Sequence, residues 1–100
     1  MVKKFDVFFC EAKGNEKPCV VISPDEMNDI SPYVLVAPIT SVKRNFPFRI
    51  GVKLKGQVGQ VALDLIRPVA KEHLSKRIGT LPPALHEEIL NLLKEFFGIR

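Results

Sequence analysis

A mainly β domain closed by one C-terminal helix is the fold class this sequence predicts, and three patterns carry the prediction. Short runs rich in Val, Ile, Phe and Thr recur along the chain, separated by Gly, Pro, Asn and Asp clusters that read as turns. Leu85, Ile89, Leu92, Leu93 and Phe96 then repeat at helical spacing between Pro83, suited to a helix start, and Gly98, suited to a stop. Finally, 100 residues with 46% apolar content suffice for one continuous core, so residues 1–100 form a single domain. A strongly bent antiparallel sheet or partly open barrel satisfies all three.

The first strand is expected over 5–11, where Phe5, Val7, Phe8 and Phe9 cluster before the turn signal Ala12-Lys13-Gly14-Asn15. A second spans 18–23 and is almost wholly apolar, with Pro18 tolerable at its start, and the turn 14–17 joins the two. Ser23-Pro24-Asp25-Glu26 places a cap, a proline and two acids where a short helix begins. After Pro32 the β-branched run Val34-Leu35-Val36-Ala37 ends abruptly in Pro38-Ile39-Thr40-Ser41 and the cations Lys43 and Arg44. A buried strand carrying hydroxyls and cations at its tip is one way to hold a phosphate. Turn hydroxyls also bond locally to the backbone, which explains Thr40 and Ser41 equally well.

Residues 48–54 alternate, which faces Arg49, Gly51 and Lys53 outward. A glycine-punctuated turn over 55–60 leads to a further strand over 61–67. A helical turn at 71–74 and an extended piece at 77–80 precede the C-terminal helix.

The net charge is only +4, a mild hint of an anionic partner, but its distribution is uneven. Residues 42–80 hold nine Lys and Arg against two acids, a net of +7, so the rest of the chain carries −3. Cys10 and Cys19 are too few and too widely spaced for a zinc site, and neither His73 nor His86 lies at a ligand spacing from them, so no metal is expected. Both cysteines fall inside apolar strands, where buried free thiols are the default and a disulfide between neighbouring strands would need an oxidising compartment. His86 sits beside Glu87 and Glu88, as on a solvated helix face, whereas His73 falls in the basic segment. No apolar leader precedes the first strand, and no run approaches the ~20 apolar residues of a membrane span, so a cytoplasmic protein without membrane contact is expected.

Five blocks carry a family resemblance: Lys17-Pro18-Cys19-Val20-Val21-Ile22-Ser23-Pro24-Asp25-Glu26-Met27-Asn28; Val36-Ala37-Pro38-Ile39-Thr40-Ser41; Pro47-Phe48-Arg49; Gly59-Gln60-Val61-Ala62-Leu63-Asp64 with Ile66-Arg67; and Lys76-Arg77-Ile78-Gly79-Thr80-Leu81. In this order, covering almost the whole chain, they resemble the MazF/PemK family of type II toxin endoribonucleases. The resemblance implies an SH3-like, partly open barrel with a C-terminal helix, a homodimer, and metal-independent, cofactor-free cleavage of single-stranded RNA. It also implies an acidic antitoxin whose tail lies across the RNA groove. Carried over residue by residue, the catalytic positions fall on Glu16, Lys17 and Thr40. Ser41, Lys43, Arg44, Phe46, Arg49 and Arg67 are expected to contact RNA, through cations at phosphates and an aromatic ring beneath an unpaired base.

The sequence departs from the family pattern at four points. Glu16 directly precedes Lys17, Lys17 stands where an Arg is usual, Leu65 replaces a common Gln, and Pro68 replaces a Thr or Ser. Arg clamps a phosphate with two parallel donors, whereas Lys supplies a mobile point charge. A slower or differently specific ribonuclease is the leading expectation. The alternative is a catalytically impaired module that still binds RNA or an antitoxin, and a gyrase-poisoning relative on the same barrel rests on fold analogy alone.

Overall fold

The computed structural model describes residues 1–12 and 14–98. Seven strands run as β1 (Asp6–Ala12), β2 (Asn15–Val21), β3 (Tyr33–Thr40), β4 (Arg49–Leu54), β5 (Gln57–Ala62), β6 (Arg67–Ala70) and β7 (Leu74–Thr80). Helix α1 (Asp25–Ile30) lies between β2 and β3, and α2 (Pro83–Phe96) closes the chain. All strand pairings are antiparallel, in the order β4-β5-β3-β2-β1-β7, with β6 added to β3.

β3 is the axis of this arrangement. Along one edge Val36–Pro38 pair with β2. Along the other, Tyr33–Val36 pair with β6 while Ile39 and Thr40 pair with β5. β5 and β6 share that edge, with Leu63–Leu65 turning the chain between them, and the sheet is the curled half-barrel expected from the sequence.

Side chains alternate across the curled sheet and so fill two cores. Val20, Ile22, Ala37, Ile39, Ile50, Val61 and Leu63 meet Leu81 and Ile89 beneath α2. Cys10, Cys19, Val21, Val34, Val36 and Val69 fill the other side. The continuous apolar stretch Cys19-Val20-Val21 therefore contributes to both cores, as strands buried on two faces do. Buried polar groups are paired: Asn28 of α1 donates to the Ser23 carbonyl at 2.9 Å, and Leu35 N–H donates to the Ser23 hydroxyl at 3.1 Å. Asp6, 4% exposed, accepts from the Thr80 hydroxyl at 2.8 Å and from Arg77, pinning β7 against β1.

Several expectations are corrected. β2 begins at Asn15, so Pro18 lies within it rather than at its start. The proline is tolerated because pairing with β3 starts only at Cys19, leaving no ladder bond for its missing N–H on that side. The strand expected over 61–67 is broken into β5, a 3-10 turn over Leu63–Leu65, and β6. β5 itself starts at Gln57 because Lys55 and Gly56, both at positive φ, make a two-residue hairpin turn. Cys10 and Cys19 are joined in a disulfide instead of standing as free thiols, since the β1–β2 register brings their Cα atoms to 6.3 Å. His86 is half-buried rather than solvated: its ring stacks on Phe5 at 4.0 Å, and its Nε2–H donates to the Leu81 carbonyl at 2.6 Å. Among the described residues no helix is long and apolar enough to cross a membrane.

Candidate functional site

The bend in β3 opens a groove of about 680 Å³ at the strand ends. Lys17 and Pro18 enter it from β2, Pro38, Ile39 and Thr40 from β3, and Arg67 from the first position of β6. Val52 and Leu54 of β4, with Val58 and Gly59 of β5, add apolar lining. Two cations stand among the lining residues, with no carboxylate and no imidazole. Such a groove attracts an anion and offers a metal no ligand set, and no group of three or more His, Cys, Asp or Glu side chains that could hold one occurs among the described residues.

Lys17 reaches the groove because strand side chains alternate. Asn15 and Lys17, two positions apart, both line it. Glu16 lies between them, stands opposite Glu11 in the β1–β2 ladder, and turns to the other face. Lys17 is exposed and forms no ion pair among the described residues. Its ammonium is available to a ligand.

Thr40 is the last residue of β3, where the chain leaves the sheet. Its Oγ1 accepts a hydrogen bond from Val42 N–H at 3.1 Å. That is the local turn bond anticipated from the sequence, yet it occupies only one lone pair, and the hydroxyl keeps its proton to donate into the groove. The two readings of Thr40 are compatible. Ser41 lines the groove beside it.

The other residues expected at RNA lie outside the groove lining. Lys43 and Arg44 are exposed on the loop between β3 and β4. Phe46 stacks on Phe48 with ring centroids 5.1 Å apart and lies 5.3 Å from the Arg49 guanidinium. Arg49 does not face freely outward. Its fork is bidentate on Asp64, Nε to Oδ1 at 2.7 Å and Nη2 to Oδ2 at 2.9 Å, and its side chain is 7% exposed. The hydrogen bond to Asp64 holds the guanidinium above its ordinary pKa, and the same bond holds the Asp64 carboxyl below the usual carboxylate range. His73 is also absent from the lining.

Sequence reasoning assigned no site role to Asn15, Gln57, Val58 or Leu65, which line the groove. Val58 and Leu65 are 61% and 51% exposed, large apolar surfaces turned toward a ligand site. Asn15, Gln57 and Val58 are marked locally only by their nearness to glycine turns, and Leu65 only as a departure from the family pattern.

Fold and groove together define a half-barrel domain with an anion-suited site where its central strand leaves the sheet. Residues 3–97 match the model of the PemK-like, MazF-like toxins of type II toxin–antitoxin systems, and the chain belongs to that family. No curated protein matches it. Among solved structures it is similar to an endoribonuclease in complex with its cognate antitoxin from a mycobacterial species, with a TM-score of 0.90 and 22% identity over 100% of this chain and 98% of that one. The MazE–MazF structure from Deinococcus radiodurans superposes with a TM-score of 0.86 and 20% identity, covering 99% and 97%. The Mycobacterium tuberculosis toxin MazF-mt6 gives 0.85 and 17%, covering 95% and 98%. At these identities the likeness is one of fold.

Proposed function

We propose that this chain is a metal-independent endoribonuclease toxin that cuts single-stranded RNA by attack of a ribose 2′-hydroxyl on its own 3′-phosphate. The observation that carries the reading is the convergence of Lys17, Thr40 and Arg67, from three strands, on one groove without carboxylates. In the reaction the 2′-oxygen bonds to phosphorus and its proton leaves to solvent, while the P–O5′ bond breaks. The Thr40 hydroxyl donates to a non-bridging phosphate oxygen. Arg67 balances the charge that builds on the phosphorane, and the Lys17 ammonium gives a proton to the departing 5′-oxygen. The products are a 2′,3′-cyclic phosphate and a 5′-hydroxyl. Ser41 assists at the phosphate, Lys43 and Arg44 meet phosphates further along the strand, and Val58 and Leu65 support an unpaired base.

A homodimer neutralised by an acidic antitoxin completes the proposal. Membership in a toxin–antitoxin family supports the antitoxin, and an acidic segment suits a groove whose charged lining is cationic.

Incubating the protein with single-stranded RNA in excess chelator and mapping the new termini tests the reading. Cleavage leaving 5′-hydroxyl ends, strongly reduced by Thr40→Ala, is expected. No cleavage, or undiminished cleavage by Thr40→Ala, overturns it.

One observation favours a second reading, a binding module without turnover. Glu16 faces away from Lys17, so the groove lining has no carboxylate to accept the 2′-hydroxyl proton. Salt-sensitive RNA binding without new termini is the expected result for such a module. Cleavage gained on Lys17→Arg would trace the impairment to the lysine.

A further inference from the structure

β5 passes beside Thr40 at Gln60. The backbone of Gln60 pairs with Thr40 of β3 on one side and with Gly51 of β4 on the other. Its side chain then reaches beyond the ladder to the loop 41–48. Oε1 accepts from Arg44 N–H at 3.0 Å, and Nε2 donates to the Arg44 carbonyl at 3.2 Å. A primary amide has the donor and acceptor of a peptide group, so this reciprocal pair imitates one rung of a strand where no strand exists. The loop is tied at its midpoint, four residues beyond Thr40.

A steric constraint acts at the neighbouring position. A Cβ on Gly59 would lie 3.1 Å from the Thr40 carbonyl oxygen and 3.1 Å from Ile39 Cγ2. β5 therefore packs so closely against the Thr40 backbone that a methyl group here would push its neighbours back by a few tenths of an ångström. Thr40 is also tied forward by the bond from Val42 N–H to its hydroxyl. Val42 lies between that bond and the Arg44 clamp, so a loop released at Arg44 can swing Val42 and change where the Thr40 proton points.

We propose that Gln60 is a positioning residue of this site, latching Arg44 so that the Thr40–Val42 turn holds the Thr40 hydroxyl toward the groove. The role rests on the ribonuclease reading, but the latch itself does not. Gln60 touches no substrate. Its effect falls on the alignment of Thr40 and on the course of the loop that presents Lys43 and Arg44, so it acts on turnover more than on affinity.

Three variants of this chain test this by two independent measurements. Hydrogen exchange at the Arg44 amide reads the latch directly, without RNA. Gln60→Ala removes both bonds and is expected to speed that exchange by about tenfold or more, as local openings do when a tether is lost. Gln60→Asn keeps the amide but is one methylene shorter, and is expected to behave like alanine. Gln60→Glu keeps the acceptor for Arg44 N–H and loses the donor, so exchange should rise less. Cleavage of a short single-stranded RNA then reads the positioning: kcat should fall about tenfold in Gln60→Ala and Gln60→Asn, with KM changed less than threefold.

Unchanged Arg44 exchange in Gln60→Ala overturns the latch. Faster exchange with unchanged kcat overturns the positioning role, as does Gln60→Asn with wild-type kcat, since the shorter amide cannot reach Arg44. If wild-type protein cuts no RNA, the ribonuclease reading and the catalytic role fall together, while the exchange result still decides the latch.

Discussion

Thr40 shows how one side chain can serve the fold and the chemistry together. By accepting from Val42 N–H its oxygen fixes the turn, and the same contact leaves the hydroxyl proton to be donated elsewhere. Thr40→Ser keeps both functions and should retain most activity. Thr40→Ala loses both, and kcat should fall by about 10²- to 10³-fold, the range for removing one donor to a developing oxyanion. Single-turnover cleavage of a short RNA by the two variants separates hydroxyl chemistry from side-chain volume. Arg49 and Asp64 show the opposite case, charged groups committed to structure. Asp64 titrates lower in the folded chain than in the unfolded one. Its contribution to stability is therefore complete well above the unfolded carboxylate value of about 3.9, and is lost as pH falls toward and through its lowered folded value. Urea unfolding between about pH 5 and pH 2 should show a midpoint that falls more steeply in wild type than in Asp64→Asn. Equal slopes would mean that the pair contributes no measurable pH dependence.

At the scale of elements, the hairpin β1–β2 both carries Lys17 and holds its strands by the Cys10–Cys19 bond. With the two cysteines nine positions apart in sequence, closing such a loop contributes on the order of 2–3 kcal/mol through the unfolded chain. Urea denaturation with and without a strong reductant should show that loss, and the Cys10→Ser/Cys19→Ser double variant should be indifferent to reductant. The same hairpin explains what could and could not be read from the chain. Helical spacing from Leu85 to Phe96, and the apolar runs of β1 and β3, state their own period and so were legible. The break after Ala62 was not, because Val61-Ala62-Leu63-Asp64-Leu65 suits a strand as well as a tight turn, and what marks the turn is a contact from Asp64 to Arg49, fifteen residues earlier. At the groove, Thr40, Lys17 and Arg67 were legible as a set because each stands in a recognisable block. Glu16 was carried over from the family pattern, and its direct adjacency to Lys17, a departure from that pattern, sets the two on opposite faces of the strand. Gln60 also stands in such a block, but its role had no signal there, since its partner is the backbone of Arg44, and a backbone group has no sequence signature.

For the molecule as a whole, the basic excess of residues 42–80 is not a single patch at the groove. Only Lys17, which lies outside that segment, and Arg67 place their charge among the lining residues, and Arg49 is neutralised by Asp64. Lys43 and Arg44 lie within the segment, exposed on the loop that Gln60 ties down. Affinity for RNA should therefore come from a small set of phosphate contacts, at most four from Lys17, Arg67, Lys43 and Arg44. For single strands each neutralised phosphate contributes about −0.7 to the slope of log K against log salt, so a slope of about −3 is expected, far from the value that all nine bases of the segment would give. Measuring binding of Thr40→Ala to a short single-stranded RNA at several salt concentrations isolates affinity from cleavage. Arg67→Ala and Lys17→Ala should each make the slope shallower by about 0.7, while Lys53→Ala, exposed on β4 outside the groove lining, should leave it unchanged. A slope near −6, with Lys53→Ala as costly as Arg67→Ala, would mean that RNA is held by the diffuse positive charge of the domain, and the groove would lose its claim to be the binding site.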